Sequence, residues 1–462
     1  MFSRSLSIRT SNLASKLLDF CGTGHKQPGD GLRRIIKHGL KTGYFPMEGN
    51  AEFFTIPSVN ALLEVFKKVK FYDFEFIVAN QDKLFAESTA PHAYLELVYR
   101  MTGFGQFNAG LVLNACASII KSNGLAEFTT AEKLKLLNVL ARQRILISPL
   151  LDLISKSCES DIDNNQNSRR CRVLAELRIS APIHLCEERL PDTIAGCVDM
   201  CVAVVMDGIQ REMSLTNRTV MLSCLRNMHT LMGNIPDMPS FMDSNPLTLR
   251  DIQLVRYALQ FSFPELYSQL DDSILETFAR IQFYTVSPTR TGRCDPSNSV
   301  FVDQLGQILF KSKIAYTSFT QVGPFVVDIL ERDSKVIWQC NGPTRFYATS
   351  TRQTTVYYDL QRMILTAMGY SVIDIPYWHW KRMRNRKVRS EYCRTSRHLA
   401  MHDIREHTHS CLATSRDPTE YNAKSSAVLQ SVFLGETVFK KEQPRKSWSW
   451  HRPLGNTNRV SL

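Results

Sequence analysis

The residues of this 462-residue chain best placed for chemistry are Asp328 and the run Gln339-Cys340-Asn341, which fall on adjacent predicted strands. A divalent metal used to cleave a phosphodiester is a hard cation and takes anionic oxygens. A nuclease site on such strands would carry an acid first, a second acid on the neighbouring strand, and a lysine two residues on to orient water. Here only Asp328 has that chemistry, because Gln339 is neutral and Asn341 supplies no cation. For Asp328 the plainer reading, a carboxylate that satisfies loop amides, stands beside a ligand-facing one. The expectation is binding without catalysis, with no metal and no cofactor.

Two further groups of residues suit a polyanion. In NGPTRF, at 341–346, Gly342 and Pro343 predict a rigid turn that presents Arg345 to a phosphate. Phe346, next to it, either stacks on a base or fills the core. The sharper signal is YWHWKRMRNRKVRSEYCRTSR, where residues 381–397 hold eight Lys or Arg and one acid, Glu391. Tyr377, Trp378 and Trp380 stand immediately before it. Aromatic faces beside dense positive charge make a stacking-plus-phosphate surface, with Lys381, Arg382, Arg384, Arg386, Lys387 and Arg389 as the phosphate contacts. Two other readings stay open: the tryptophans anchor a core, and the charge run is a solvated helix face. Cys393, His398, His402, His407, His409 and Cys411 lie close together, but their spacing matches no zinc template.

The elements that must position these residues change character along the chain. From about 50 to 286 apolar residues recur at three- and four-residue spacing. Examples are SVNALLEVFKKV at 58–69 and TTAEKLKLLNVLARQRI at 129–145, with Thr130 expected to cap the latter. Similar helical segments are predicted at 93–100, 107–120, 149–158, 171–179, 194–211, 217–232, 248–260 and 273–283. Such a series suits either a stacked helical-pair array or an irregular helical domain. DIDNNQNSRR at 161–170 is expected to be a solvent loop, and SPTRTGRCDPSNS at 287–299 a domain boundary. Beyond it the period changes. A helix is predicted at 300–310, strands at 324–330 and 335–342, a helix at 356–369 closed by Gly369, and a last strand from 370 that stops near Pro376.

Composition narrows the function classes. The hydrophobic content of 44% is that of a folded protein, and 12 cysteines without a CxxC pair do not make a disulfide scaffold. The formal charge of +12 favours phosphate backbones or an anionic surface as partner. No stretch approaches the roughly 20 apolar residues of a membrane span, and IAGCVDMCVAVVMDGI at 194–209 reads as a buried helix. The first 18 residues hold Arg4, Arg9 and Lys16, several serines and no acid, the composition of a mitochondrial presequence.

FVVDIL, VIWQCNGPTRF and LQRMILTAMGYSVIDIPYWHW, in that order, resemble the RAP-domain family, typical of mitochondria and chloroplasts and including the FAST kinase-like proteins. The resemblance covers roughly 300–395, about a fifth of the chain. It implies a restriction-endonuclease-like fold, often preceded by helical repeats. It also implies a role in organellar RNA binding, processing, stability or ribosome biogenesis. Asp328 matches the family aspartate, whereas Gln339 and Asn341 stand where the family often has acids. Arg345 takes the place of a histidine before phenylalanine, and Gln361 that of a basic residue, although Arg362 follows.

The expected architecture is therefore α+β and multidomain. It comprises a targeting segment at 1–20, an all-helical, repeat-like region at 50–286, a RAP-like α/β domain with its basic extension at 300–395, and a flexible tail at 412–462. The expected function is a mitochondrial matrix RNA-binding protein, with mitochondrial rRNA or mRNA and mitoribosomal proteins as partners and no integral membrane contact. A structural component of the mitochondrial ribosome and a metal-dependent endoribonuclease are the alternatives.

Overall fold

The computed structural model describes residues 90–104, 108–122, 124–157, 163–186, 190–282, 299–349 and 352–402, with Val59, Asn60 and Leu63 besides. The expected targeting segment, the tail, most of the helix at 58–69 and nearly all of the expected boundary loop lie outside these residues. So do His407, His409 and Cys411. The chain forms two compact units that divide between Asp161 and Ile162.

In the first unit, α1 (Pro91–Gly103), α2 (Ala109–Lys121), α3 (Thr130–Gln143) and α4 (Ser148–Ser157) follow the apolar spacing of the sequence. The α3 cap is Thr129, one residue before the one expected. Glu132 donates its amide to the Thr129 hydroxyl and accepts the Thr129 amide in return, a reciprocal pair that satisfies two end amides. Gln143 ties three helices together, accepting from the Asn108 amide at 3.0 Å and donating to Thr102 Oγ1 at 3.1 Å.

In the second unit DIDNNQNSRR is largely helix, not loop, because α5 spans Asn164–Glu176. Its first turns are polar, with Gln166 and Arg169 exposed and Ser168 and Arg170 buried, and its apolar residues follow at 171–175. Ser168 donates to the Asn164 carbonyl at 2.8 Å, and Arg172 meets Glu176, Asp199 and Asp251 at 3.2, 2.6 and 2.7 Å. The apolar period of α5 begins only at Cys171, so its first turns have none to register.

The helical series continues through α6 (Ile194–Gln210), α7 (Leu215–Gly233), α8 (Met238–Ser244), α9 (Pro246–Ser262), α10 (Pro264–Tyr267) and α11 (Asp272–Ile281). α6 is buried along nearly all of its length, as its apolar sequence requires. Among the described residues no helix is long and apolar enough to cross a membrane.

A mixed α/β module completes this unit. It runs α12 (Ser299–Lys311), β1 (Tyr316–Val322), β2 (Phe325–Glu331), β3 (Val336–Asn341), α13 (Val356–Ala367), β4 (Ser371–Pro376), α14 (Tyr377–Arg382) and α15 (Arg386–Met401). The sheet order is β1-β2-β3-β4, with β4 parallel to β3 through the α13 crossover and the other pairs antiparallel. Gly369, at a φ of 86°, lets the chain leave α13 for β4 in the left-handed region that suits glycine. β1 was not anticipated. It is a polar edge strand that exposes Ser318, Phe319 and Gln321, so it lacks an apolar alternation.

The sheet is covered on both faces. Val322, Phe325, Val327 and Ile337 join α13 residues Val356, Leu360, Ile364 and Leu365 in one core with α5–α7, α9 and α11. On the opposite face Ile329, Val336, Trp338, Cys340, Ile373 and Ile375 pack with α12, Trp380 of α14, and Tyr392 and Cys393 of α15. The module is therefore the second layer of a helical unit.

Candidate nucleic-acid interface

Two constellations arise where this sheet departs from regularity, one buried and one exposed. The buried one begins at Asp328. Pairing of β2 with β3 is confined to Ile329–Trp338 and Leu330–Ile337. On the other side of β2, Ser318 pairs with Ile329 and Thr320 with Val327, while Phe319 between them takes a left-handed φ of 50°. For a bulky residue that conformation costs on the order of 1–3 kcal/mol. The ladder is thus interrupted on both sides of Asp328, and the buried Asp328 carboxylate accepts the Cys340 amide at 2.7 Å.

Arg345 enters the opening. The Gly342 turn leads into a 3₁₀ turn at Pro343–Arg345 that directs the arginine inward, not toward solvent. Its Nη2 donates to both Asp328 oxygens at 2.8 and 2.7 Å, and its Nη1 donates to Asn341 Oδ1 at 2.9 Å and to Gln339 Oε1. The guanidinium carbon also lies 5.0 Å from the centre of the Tyr358 ring. Burial opposes its charge, but Asp328, followed by Tyr358, outweighs that and holds the proton more tightly than usual. Tyr358 in turn donates to Asp374 Oδ1, Asn341 Nδ2 donates to the same oxygen at 3.2 Å, and Arg362 pairs with Asp374 Oδ2 at 3.3 Å. Burial first, and Asp374 second, push the Tyr358 phenol well above its ordinary value.

Asp328, Gln339, Asn341 and Arg345 are therefore brought together, as adjacent strands and the following turn require. Tyr358, Arg362 and Asp374 complete the cluster. In sequence they read as helix and strand residues, and only their register against β3 brings them here. Gln339 Nε2 is buried with no hydrogen-bond partner, so this side chain contributes one oxygen and leaves its nitrogen unsatisfied.

The exposed constellation follows β4. Phe346 is buried, and its ring centre lies 4.6 Å from that of Trp378 and 6.2 Å from that of Tyr377. Tyr377 and Trp378 are half-buried and edge-on to each other at 5.1 Å, which leaves part of each ring at the surface. Trp380, expected beside them as a stacking face, is a core anchor. Its ring lies 5.0 Å from Phe301, and its Nε1 donates to Gln304 Oε1 at 2.9 Å.

The cations divide likewise. Lys381, Arg382, Arg384, Arg386 and Lys387 are exposed, spread over the end of α14, the connecting turn and the start of α15. Arg389 is held internally, donating to the Met383 and Trp380 carbonyls at 2.6 and 3.3 Å and to Gln304 at 3.0 Å. Arg394 pairs with Glu391 at 2.5 Å, and Arg397 embraces the buried Glu331 with three contacts of 3.0 Å. Desolvation lowers the pKa of Lys381, whose Nζ lies 5.5 Å from the Tyr377 ring centre.

Arg386 and Lys387 occupy the first turn of α15, which carries no acid. Positive charge there opposes the helix dipole, and an anion bound beside it would reverse the sign of that interaction. Trp378 and these cations follow one another within ten residues on α14, the connecting turn and the start of α15, a ledge of side chains whose types suit a phosphate backbone with an unpaired base.

No curated protein matches the chain. Residues 338–395 match the family model described as RAP domain. The matched span begins at Trp338 in β3 and ends at Thr395 in α15, so it includes the whole ledge and all of the buried cluster except Asp328. The chain carries a RAP domain in its C-terminal region.

Proposed function

We propose that this chain is an RNA-binding protein of the mitochondrial matrix that acts in rRNA or mRNA processing, stability or mitoribosome biogenesis. RAP domains are generally linked to organellar RNA metabolism, which sets the class of partner. The observation that carries the reading is the ledge. Five exposed cations within seven residues stand beside the partly open Trp378 ring, and Arg384, Arg386 and Lys387 have no acidic partner among the described residues. Phosphates fix a strand in register on such a surface, while an aromatic face takes a base of any identity. The matrix location rests on the composition of the first 18 residues alone.

Ultraviolet crosslinking in isolated mitochondria, with RNA sequencing, peptide mapping and gradient sedimentation, tests this directly. Crosslinks within 377–387 to precursor or message RNA in light fractions support a processing or stability factor. rRNA reads confined to ribosome-sized fractions support the structural alternative. RNA recovery no greater than from uncrosslinked controls defeats the proposal.

A further inference from the structure

The metal-dependent nuclease chemistry that a fold of this kind suggests can be tested against the residues present. A divalent metal needs a cluster of oxygens carrying surplus negative charge. Around Asp328 the oxygens are there: its carboxylate, the Gln339 and Asn341 carboxamides and, one hydrogen bond away, Asp374. The charge surplus is not. Asp328 is paired with Arg345 and Asp374 with Arg362, so two carboxylates face two guanidiniums. The Arg345 guanidinium also occupies the point on which the Asp328, Gln339 and Asn341 oxygens converge. The residues do not fit a bound metal.

We infer that Arg345 is a resident cation, built into the place a divalent ion would take. It organises the oxygen cluster permanently and makes the domain independent of metal. The geometry is that of a closed ion pair. Asp328 meets one nitrogen of the fork with both oxygens, the other nitrogen is shared by two amide oxygens, and the guanidinium carbon sits over the Tyr358 ring at 5.0 Å from its centre. A buried guanidinium engaged on this many sides has no low-cost exit, because leaving would strand Asp328 as an unpaired charge. This inference concerns the cluster alone and stands or falls independently of the RNA-binding ledge.

Manganese binding to the full chain, followed by electron paramagnetic resonance, provides the test. The native protein and Asp328→Asn are expected to give the same titration, with no site that depends on Asp328. Gln339→Glu adds a carboxylate but keeps Arg345, and it too should gain no site. Arg345→Ala, which removes the cation and leaves the oxygens, should gain one saturable site that is lost again in Arg345→Ala/Asp328→Asn. A manganese site in the native protein that Asp328→Asn removes would overturn the inference. So would a site gained by Gln339→Glu, which would mean that the guanidinium swings aside. If Arg345→Ala is folded and binds nothing, the oxygen cluster is no cation cage and the inference also fails. Should that variant not fold, the native and Gln339→Glu titrations still decide the question.

Discussion

Neutralising the three unpaired cations of the ledge, through Arg384→Gln, Arg386→Gln and Lys387→Gln together, should change how RNA affinity depends on salt. Each cation that neutralises a phosphate of single-stranded nucleic acid adds about 0.7 to the slope of log affinity against log salt. Losing three such contacts should reduce that slope by about 2. Between 50 and 200 mM salt, the native protein should then lose roughly 16-fold more affinity than the variant does. Folding should be almost untouched, within about 0.5 kcal/mol, because all three side chains are exposed. A small gain is consistent with relieving the first turn of α15 of two positive charges. Fluorescence anisotropy with a labelled single-stranded RNA, repeated across the salt range, gives the slopes, and a thermal melt gives the control. An unchanged slope in a folded variant would refute the assignment of these residues to phosphates and return them to the status of a solvated helix face.

Other consequences are simpler to state. Trp378→Ala should weaken RNA binding by about 1–3 kcal/mol while leaving the sheet folded, and an RNA lacking the stacked base should show no further loss with the variant. Arg397→Ala leaves Glu331, 2% exposed, without its cation. Urea unfolding should show a loss of about 3–5 kcal/mol, reduced to the extent that Trp338 and Ser334 still donate to the carboxylate. A fragment limited to 299–402 should associate or fail to melt cooperatively, whereas 162–402 should melt as one unit. The shorter piece uncovers Val322, Phe325, Val327 and the buried face of α13. A monomeric 299–402 with a cooperative melt by calorimetry would count against the shared core.

Much of this architecture was legible in the chain because it is written in apolar spacing. Most helices between Pro91 and Ile281, the strands around FVVDILE and VIWQCN, and the α13 crossover bury apolar stripes, whereas the short α8 and α10 bury only Met242 and Leu266 and carry no stripe to read. What escaped detection carries little apolar spacing. The first half of α5, Asn164–Arg170, is polar and precedes the apolar run that reads as helix from 171, and β1 is an edge strand whose exposed residues carry no alternation. The sites show the same division. Asp328, Gln339 and Asn341 could be grouped from strand adjacency, but Asp374 joins them only because the parallel β3–β4 register sets it beside Gln339, from where it accepts from Asn341. The direction of Arg345 is set by a 3₁₀ turn, and NGPTRF reads equally well as a turn that points outward. Of the two nearby tryptophans, position alone could not say that Trp380 turns inward to Gln304 while Trp378 stays at the surface.

Three consecutive residues connect the buried cluster, the ledge and the helical layer. Arg345 points into the oxygen cluster, Phe346 lies under Trp378, and the Tyr347 hydroxyl donates to the Glu176 carbonyl at the end of α5. The loop that carries them is closed on itself, since Thr355 donates to the Arg345 carbonyl at 2.9 Å and Tyr347 to the Gln353 carbonyl at 3.0 Å. It is also gripped from outside by Arg178, which donates to the Thr354 carbonyl at 2.9 Å and pairs with Asp359. A short loop with alternating side-chain directions cannot shift at one of these residues without moving its neighbours. The position of the Trp378 platform is thus set on one side by an internal ion pair and on the other by helices that precede the sheet by more than a hundred residues. The family match at 338–395 marks the ledge, but Glu176, Arg178 and Asp328, which hold it in place, lie outside that span. The structural unit is therefore the RAP domain together with the helical layer beneath it.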